Sequence, residues 1–297
     1  TVAAAFPTTV NPIVQLGCTP VFVDIDLKTL NINVSLLEKA LSPKTKAIMI
    51  AHTQGNPFDL NSVLSFAKAH GLWVVEDSCD ALGAEYDGKK VGRFGDISSF
   101  SFYPAHQITT GEGGAVVTNN PWLYRLAKSF RDWGRDCWCE PGEDNACRRR
   151  FTWKFKNLPL GYDHKFVYSH MGYNLKMTDM QAAIGLAQLE RIGQLVDARR
   201  KNYQKLLKRL SRFEKYFQFQ EAQHKSNPSW FGFMLTLKPD CPFSLLDIVT
   251  YLNDHKIATR PLYCGNITRH PYFEHLTYRV IGNLAVNIQF NQQSILE

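Results

Sequence analysis

Between Pro20 and Thr118 the chain alternates short apolar runs with one amphipathic stretch, and this pattern limits the fold more than any other feature. Pro20–Asp26, Lys46–Ile50 and Leu72–Val75 read as short buried strands. Between the last two, Leu60 to Gly71 sets Val63, Leu64, Phe66 and Ala67 at helical spacing and closes on His70 and Gly71, a helix stop. Asp96–Tyr103 and Gly114–Thr118 add strands. Pro121 then opens a helix at its first turn, where a missing N–H costs little. Strands alternating with helices require crossovers, so the pattern predicts an α/β fold with a mostly parallel sheet. Open α/β sheets place ligands beyond the carboxyl ends of their strands, which is where Asp77 falls.

From Asp136 to about Asp163 the periodicity lapses into cysteines, Pro141, Gly142 and basic residues. A loop of this length inside a compact domain usually has a function. A long helix is expected from Thr178 to about Arg212, a strand over Ser229–Leu237 and a helix over Leu245–His255. The division that follows is a large domain over 1–215, interrupted by an insertion at 136–163, and a small α+β domain over 216–297.

No run of about 20 apolar residues occurs, so no membrane span is expected. The first residues lack a basic region, so no signal peptide is expected and the cytoplasm is the default location. The net charge is +7, with basic clusters at Arg148-Arg149-Arg150 and Arg199-Arg200-Lys201. Such clusters are either solvated faces or a means of attracting an anionic nucleotide-sugar and an acidic electron donor. No nucleic-acid-binding motif accompanies them.

Seven cysteines in a chain expected in the cytoplasm argue for metal or redox use rather than disulfides. Cys18, Cys241 and Cys264 stand apart and read as packing residues. Cys79, Cys137, Cys139 and Cys147 are spaced C-x57-C-x-C-x7-C. Taken alone, that spacing favours a structural zinc, although soft thiolates suit an iron–sulfur cluster as well. Asp77 taken alone is equally a helix or loop cap.

Three segments change this balance: Val74-Val75-Glu76-Asp77-Ser78-Cys79-Asp80-Ala81, Ile97 through His106, and Gly111-Glu112-Gly113-Gly114. They resemble the sugar aminotransferases of the DegT/DnrJ/EryC1/StrS family, which use pyridoxal phosphate (PLP). The resemblance runs from about Thr1 to about Gly282. It implies the fold of PLP-dependent transferases (aspartate aminotransferase, fold type I), with the large domain binding the cofactor. In that family the residue corresponding to His106 is normally a lysine that forms a Schiff base with PLP. Imidazole cannot hold the aldehyde, but it can move protons near neutral pH. The cysteine spacing matches the iron–sulfur branch of the family. That branch pairs pyridoxamine phosphate (PMP) with a [2Fe-2S] cluster to deoxygenate CDP-4-keto-6-deoxyglucose at C3, in the biosynthesis of the dideoxyhexoses of O-antigen.

The resemblance also implies roles for individual residues. His106 is the base, and Asp77 pairs with the pyridine nitrogen. Ser101 binds the cofactor phosphate, Phe6 stacks on the ring, and Asn174 reaches the phosphate of a neighbouring subunit, which requires a homodimer. Tyr103 and Asp80 flank the site and contact substrate. Cys79, Cys137, Cys139 and Cys147 hold the cluster, and an NADH-dependent iron–sulfur flavin reductase feeds it. Read as ordinary residues, Phe6 is a core side chain, Ser101 a strand hydroxyl and Asn174 a turn residue. The family also carries a Gly/Ser-rich phosphate turn ahead of these segments, and no such turn occurs in this sequence. Asn283–Glu297 departs from the family pattern as well, so a fragment or an altered reading frame is expected. Two alternatives remain: a cluster-free 3-dehydratase acting on a GDP-sugar, and an inactive truncated homologue.

Overall fold

The computed structural model describes residues 1–140 and 142–282, together with the backbone of Gln293–Leu296. The departure expected over Asn283–Glu297 therefore falls outside the described residues, apart from that strand. At the centre is a four-stranded sheet in the order Ala47–Ala51, Trp73–Asp77, Ile97–Ser101, Gly114–Val117. The first three strands are parallel and the fourth antiparallel, in accord with a mostly parallel sheet. Helix Leu60–His70 makes the crossover between the first two strands. Asp59 caps its start by accepting from the Ser62 N–H at 3.1 Å, and Gly71 ends it at φ +63°, a left-handed conformation that glycine adopts without strain. Leu60, Val63 and Ala67 of this helix share one buried apolar cluster with Ile48, Ile50 and Val74 of the sheet.

Period-two alternation puts Glu76 on the same inward face as Val74. This carboxylate is fully buried and well satisfied. It pairs with His52 Nε2 at 3.0 Å and accepts from the backbone N–H groups of Gly92, Phe94 and Gly95. Burial raises its pKa, but these partners outweigh burial and hold it below the ordinary carboxylate value. Glu76 thereby fixes the approach to strand Ile97–Ser101, whose end carries the candidate site.

The structure departs from the expected elements in three places. The strand expected over Pro20–Asp26 is only Val21–Val23, and it pairs in parallel with Arg279–Ile281 outside the four-stranded sheet. The helix expected from Thr178 to Arg212 is two helices, Asp179–Leu189 and Ile192–Leu210. They meet at Arg191 (φ −104°, ψ 0°), whose N–H bonds back only three residues to Gln188. The strand expected over Ser229–Leu237 begins at Phe233, because Ser229 and Phe231 spend their N–H groups on the carbonyls of Gly55 and Gln54. The insertion at 136–163 has no helix or strand among its described residues, as its composition predicted.

Helix Ile192–Leu210 leads into an antiparallel sheet ordered Thr259–Arg260, Gln293–Leu296, Phe233–Leu237, Phe217–Phe219. Tyr203, Phe217, Trp230, Phe233, Leu235 and Leu237 form an apolar cluster there. Met234, Leu262, Ile267 and Phe273 are buried instead in the cluster that contains Phe22 and Ile50, so apolar packing crosses residue 215.

Candidate active site

Asp77 closes its strand with its carboxylate buried. Oδ2 accepts from the Thr9 hydroxyl at 2.6 Å and Oδ1 from the Cys79 N–H at 3.1 Å. Thr9 lies in the first turn of helix Pro7–Gln15, and its N–H bonds the carbonyl of Phe6, which caps that helix. The structure thus ties Phe6, which is 52% exposed, to the Asp77 end of the sheet. On the neighbouring strand Ser99 lies opposite Asp77, and Ser101 ends the strand with its hydroxyl accepting from the Tyr103 N–H at 3.2 Å.

A tight turn follows, in which the His106 N–H donates to the Tyr103 carbonyl at 3.0 Å. The imidazole stands 5.2 Å from the Phe231 ring and 6.4 Å from that of Tyr103. Its Nδ1 lies 3.4 Å from Asp80 Oδ1, within ion-pair range but without an aligned hydrogen bond, so a buried ring nitrogen is left unpartnered. Asp80 Oδ2 accepts from the Tyr263 hydroxyl at 2.9 Å.

Burial sets the protonation of this pair. It lowers His106 to about 4, helped by Arg199 and opposed by Asp77. It raises Asp80 to about 7, helped by the charge of Asp77 and opposed by the Tyr263 hydrogen bond and Arg199. Near neutral pH His106 is therefore an uncharged imidazole able to accept a proton, and Asp80 is close to its midpoint.

Four residues that sequence reasoning did not assign complete the site. Thr9 orients Asp77, and Tyr263 orients Asp80. The Gln107 amide donates to the Asp80 carbonyl and to Ser229 Oγ. Arg199 donates to the carbonyls of Trp230, Phe231, Ala105 and His106, stapling the His106 turn to the Phe231 turn. Arg199 and Arg200 were noticed only as a basic cluster. The structure spends both on backbone carbonyls rather than on a solvated face. Gly55 allows these turns to converge: a Cβ there would lie 2.8 Å from the Asp80 carbonyl oxygen and 2.9 Å from the Trp230 nitrogen.

Asn174 is not brought to this group within the chain. It is exposed beside Asp132, with its Oδ1 accepting from Lys176 Nζ at 2.9 Å. The cysteines fall into two groups. Cys79 faces Ser99 at 3.9 Å, and burial together with the carboxylates of Asp77 and Asp80 pushes its thiol far up. Cys137, Cys139 and Cys147 line a cavity of about 910 Å³ within and beside the insertion. Burial raises the Cys139 pKa, but hydrogen bonds from Cys137, Cys147 and the Cys147 backbone bring it below the usual thiol range. Among the described residues, no set of three or more His, Cys, Asp or Glu side chains forms a ready metal cage.

This donor chemistry fits a vitamin B6 cofactor at the sheet end. Asp77 is a buried carboxylate that can face a ring N–H, and His106 carries an orphaned nitrogen. Cys137, Cys139 and Cys147 line one cavity, and thiolates are donors of the type a thiophilic metal takes. No helix among the described residues is long and apolar enough to cross a membrane.

The profile of the DegT/DnrJ/EryC1/StrS aminotransferase family matches residues 1–295. The lipopolysaccharide biosynthesis protein RfbH of Salmonella typhimurium is 55% identical over 96% of this chain and 65% of its own length. The dTDP-4-dehydro-2,6-dideoxy-D-glucose 3-dehydratase of Saccharopolyspora spinosa is 50% identical over 96% of this chain and 62% of its own. The chain thus spans less than two thirds of the length of both relatives. Among solved structures, the Escherichia coli GDP-4-keto-6-deoxy-D-mannose-3-dehydratase with bound hydrated PLP aligns with a TM-score of 0.86. It is 28% identical and covers 100% of this chain and 74% of that one. The fold is that of the PLP-dependent aminotransferases, fold type I.

Proposed function

This chain belongs to the DegT/DnrJ/EryC1/StrS aminotransferase family, and on that premise we propose that it serves a nucleotide-sugar 3-dehydrase. The reaction is PMP- and [2Fe-2S]-dependent removal of the C3 hydroxyl of CDP-4-keto-6-deoxy-D-glucose, on the route to the 3,6-dideoxyhexoses of lipopolysaccharide. The observation that carries the reading is the uncharged, half-buried His106 between Asp80 and Phe231, at the place where the resemblance puts the family's lysine. The names of the two relatives, one from lipopolysaccharide biosynthesis and one a sugar 3-dehydratase, point the same way.

When bound, PMP supplies an amine for the C4 ketone and an acidic methylene, and the cluster supplies electrons one at a time. His106 would take the methylene proton: it is unprotonated at neutral pH, although the burial that lowers its pKa to about 4 also makes it a weaker base. Asp80 lies 3.4 Å from His106 Nδ1 and would tune the imidazole through its charge or touch the substrate. Asp77 holds the ring N–H, with Thr9 fixing the carboxylate. Phe6 would cover the ring, Ser101 would hold the phosphate and Tyr103 would contact the sugar. Asn174 acts from a second copy of the chain, which makes the working unit a homodimer. Cys137, Cys139 and Cys147, which line one cavity, would hold the cluster, and Cys79, which stands apart at Ser99, would have to approach them to complete four thiolates; a separate NADH-dependent iron–sulfur flavin reductase would deliver the electrons. The cofactor-binding part extends to residue 215, with the small domain beyond it.

The test is His106→Lys. The variant should form a PLP adduct that borohydride fixes covalently, detected by mass spectrometry. If no adduct forms, residue 106 does not face the cofactor and the reading fails.

A further inference from the structure

The cysteine-bearing loop has no ladder to hold it, yet its two ends meet on one short segment. At its start, Asp136 Oδ2 pairs with His164 Nε2 at 2.6 Å, Oδ1 accepts from the Ser169 hydroxyl at 2.6 Å, and its N–H donates to the Val167 carbonyl at 2.9 Å. At its end, Arg150 grips Asp163 with two parallel bonds of 2.9 and 2.8 Å, and its carbonyl accepts from the His164 N–H at 2.8 Å. All three clustered cysteines lie between these anchors.

His164 joins the two ends. It is completely buried, and its ring stacks on Trp153 at 4.8 Å and 5° and meets the edge of Trp138 at 5.6 Å. Trp138 is the residue between Cys137 and Cys139, so the stack fixes the backbone that carries both thiols. Lys165 Nζ, on the same turn, adds a bond of 2.7 Å to Asp144, inside the loop.

We propose that Asp136, His164, Arg150 and Asp163 form a clamp that orders the backbone carrying Cys137, Cys139 and Cys147 before any metal arrives, leaving only the thiol side chains to close on it. They are positioning residues and touch no metal themselves. The inference rests on the reading that these three cysteines are ligands. Without the clamp, metal binding would have to order an irregular loop and would lose the conformational entropy of its residues. Removing the outer hydrogen bonds of metal ligands typically weakens binding roughly 10–100-fold.

The test titrates the apo chain with cadmium and follows the thiolate-to-metal absorption, with iron and sulfide uptake measured in parallel. His164→Gln and Arg150→Gln should each weaken cadmium binding roughly 10–100-fold while a cooperative melting transition is retained. Arg150→Lys, which keeps the charge and loses the fork, should fall between wild type and Arg150→Gln. Affinities within twofold of wild type in folded variants would overturn the clamp. Should His164→Gln fail to fold, Ser169→Ala decides: weaker cadmium binding supports the clamp, and unchanged binding overturns it. A wild-type chain with clamp-dependent cadmium affinity that takes up no iron and sulfide supports the clamp and sinks the iron–sulfur reading instead.

Discussion

Asp77 and Cys139 are both candidate cofactor contacts, but different forces hold them in place. Asp77 ends a strand paired on both sides, over residues 47–51 and 97–99, and the Glu76 beside it is locked by His52 and three backbone N–H groups. Cys139 sits in a segment with no helix or strand among its described residues, held mainly by side-chain pairs and aromatic stacking, with isolated backbone bonds such as Asp136 N–H to the Val167 carbonyl. Geometry in the sheet is cooperative, because each strand fixes its neighbours through backbone bonds that any sequence can make. Geometry in the insertion rests on particular side chains, so single changes there should act locally.

The contrast would break first at His106. Under the proposed function, His106→Gln should cut 3-dehydrase turnover by about 10²–10⁴ without moving the melting midpoint. A variant within tenfold of wild type would remove the base from the sheet-end site. Next comes packing. Ile50, 1% exposed, should cost about 2–5 kcal/mol as Ile50→Ala in denaturant unfolding. Phe151→Ala, in the insertion and 54% exposed, should stay within about 0.5 kcal/mol. Equal losses would show that the insertion is part of the same cooperative core.

A third comparison uses pH, with two groups of opposite sign at one site. Asp80 rises from 3.8 to about 7, so the folded chain keeps a proton that the unfolded chain releases. Its contribution to stability is whole below 3.8 and is lost as pH climbs through about 7. His106 falls from 6.5 to about 4, so the unfolded chain takes up a proton that the folded chain refuses. That group costs stability as pH drops below 6.5, down to about 4. Relative to wild type, the melting midpoint of Asp80→Asn should therefore improve as pH is raised over this window, and that of His106→Asn should worsen. Slopes of the same sign would refute the assigned shifts. The mildest probe is brief trypsin treatment. Cleavage should come at Arg148, Arg149, Lys154 or Lys156, all exposed in the insertion, before any site between Ala47 and Ser101.

Much of the sheet region could be read from sequence. The apolar runs, the helical spacing from Leu60 and the Gly71 stop are local signals, and each found its element. So is the position of Asp77 at a strand end. The break at Arg191 was not legible, because no proline marks it and both halves keep helical composition. Nor was the late start of strand Phe233–Leu237, since the residues before it bond a loop far away in the chain. Arg199 and Tyr263 escaped for the same reason: their partners lie 93 and 183 residues distant. The pairing of Asp136 with His164 spans 28 residues of irregular chain, with no periodicity to announce it.

By itself, the order of residues determined which elements form and which reactive groups exist: an imidazole at residue 106 just past a strand end, and three thiols close together in the chain. Those facts are covalent and local. Only the folded molecule decided that His106 is uncharged, that Asp80 nearly holds its proton, and that Cys79 faces Ser99 while the other three thiols share a cavity. Desolvation and contact depend on atoms brought in from distant parts of the chain, and no local pattern encodes them.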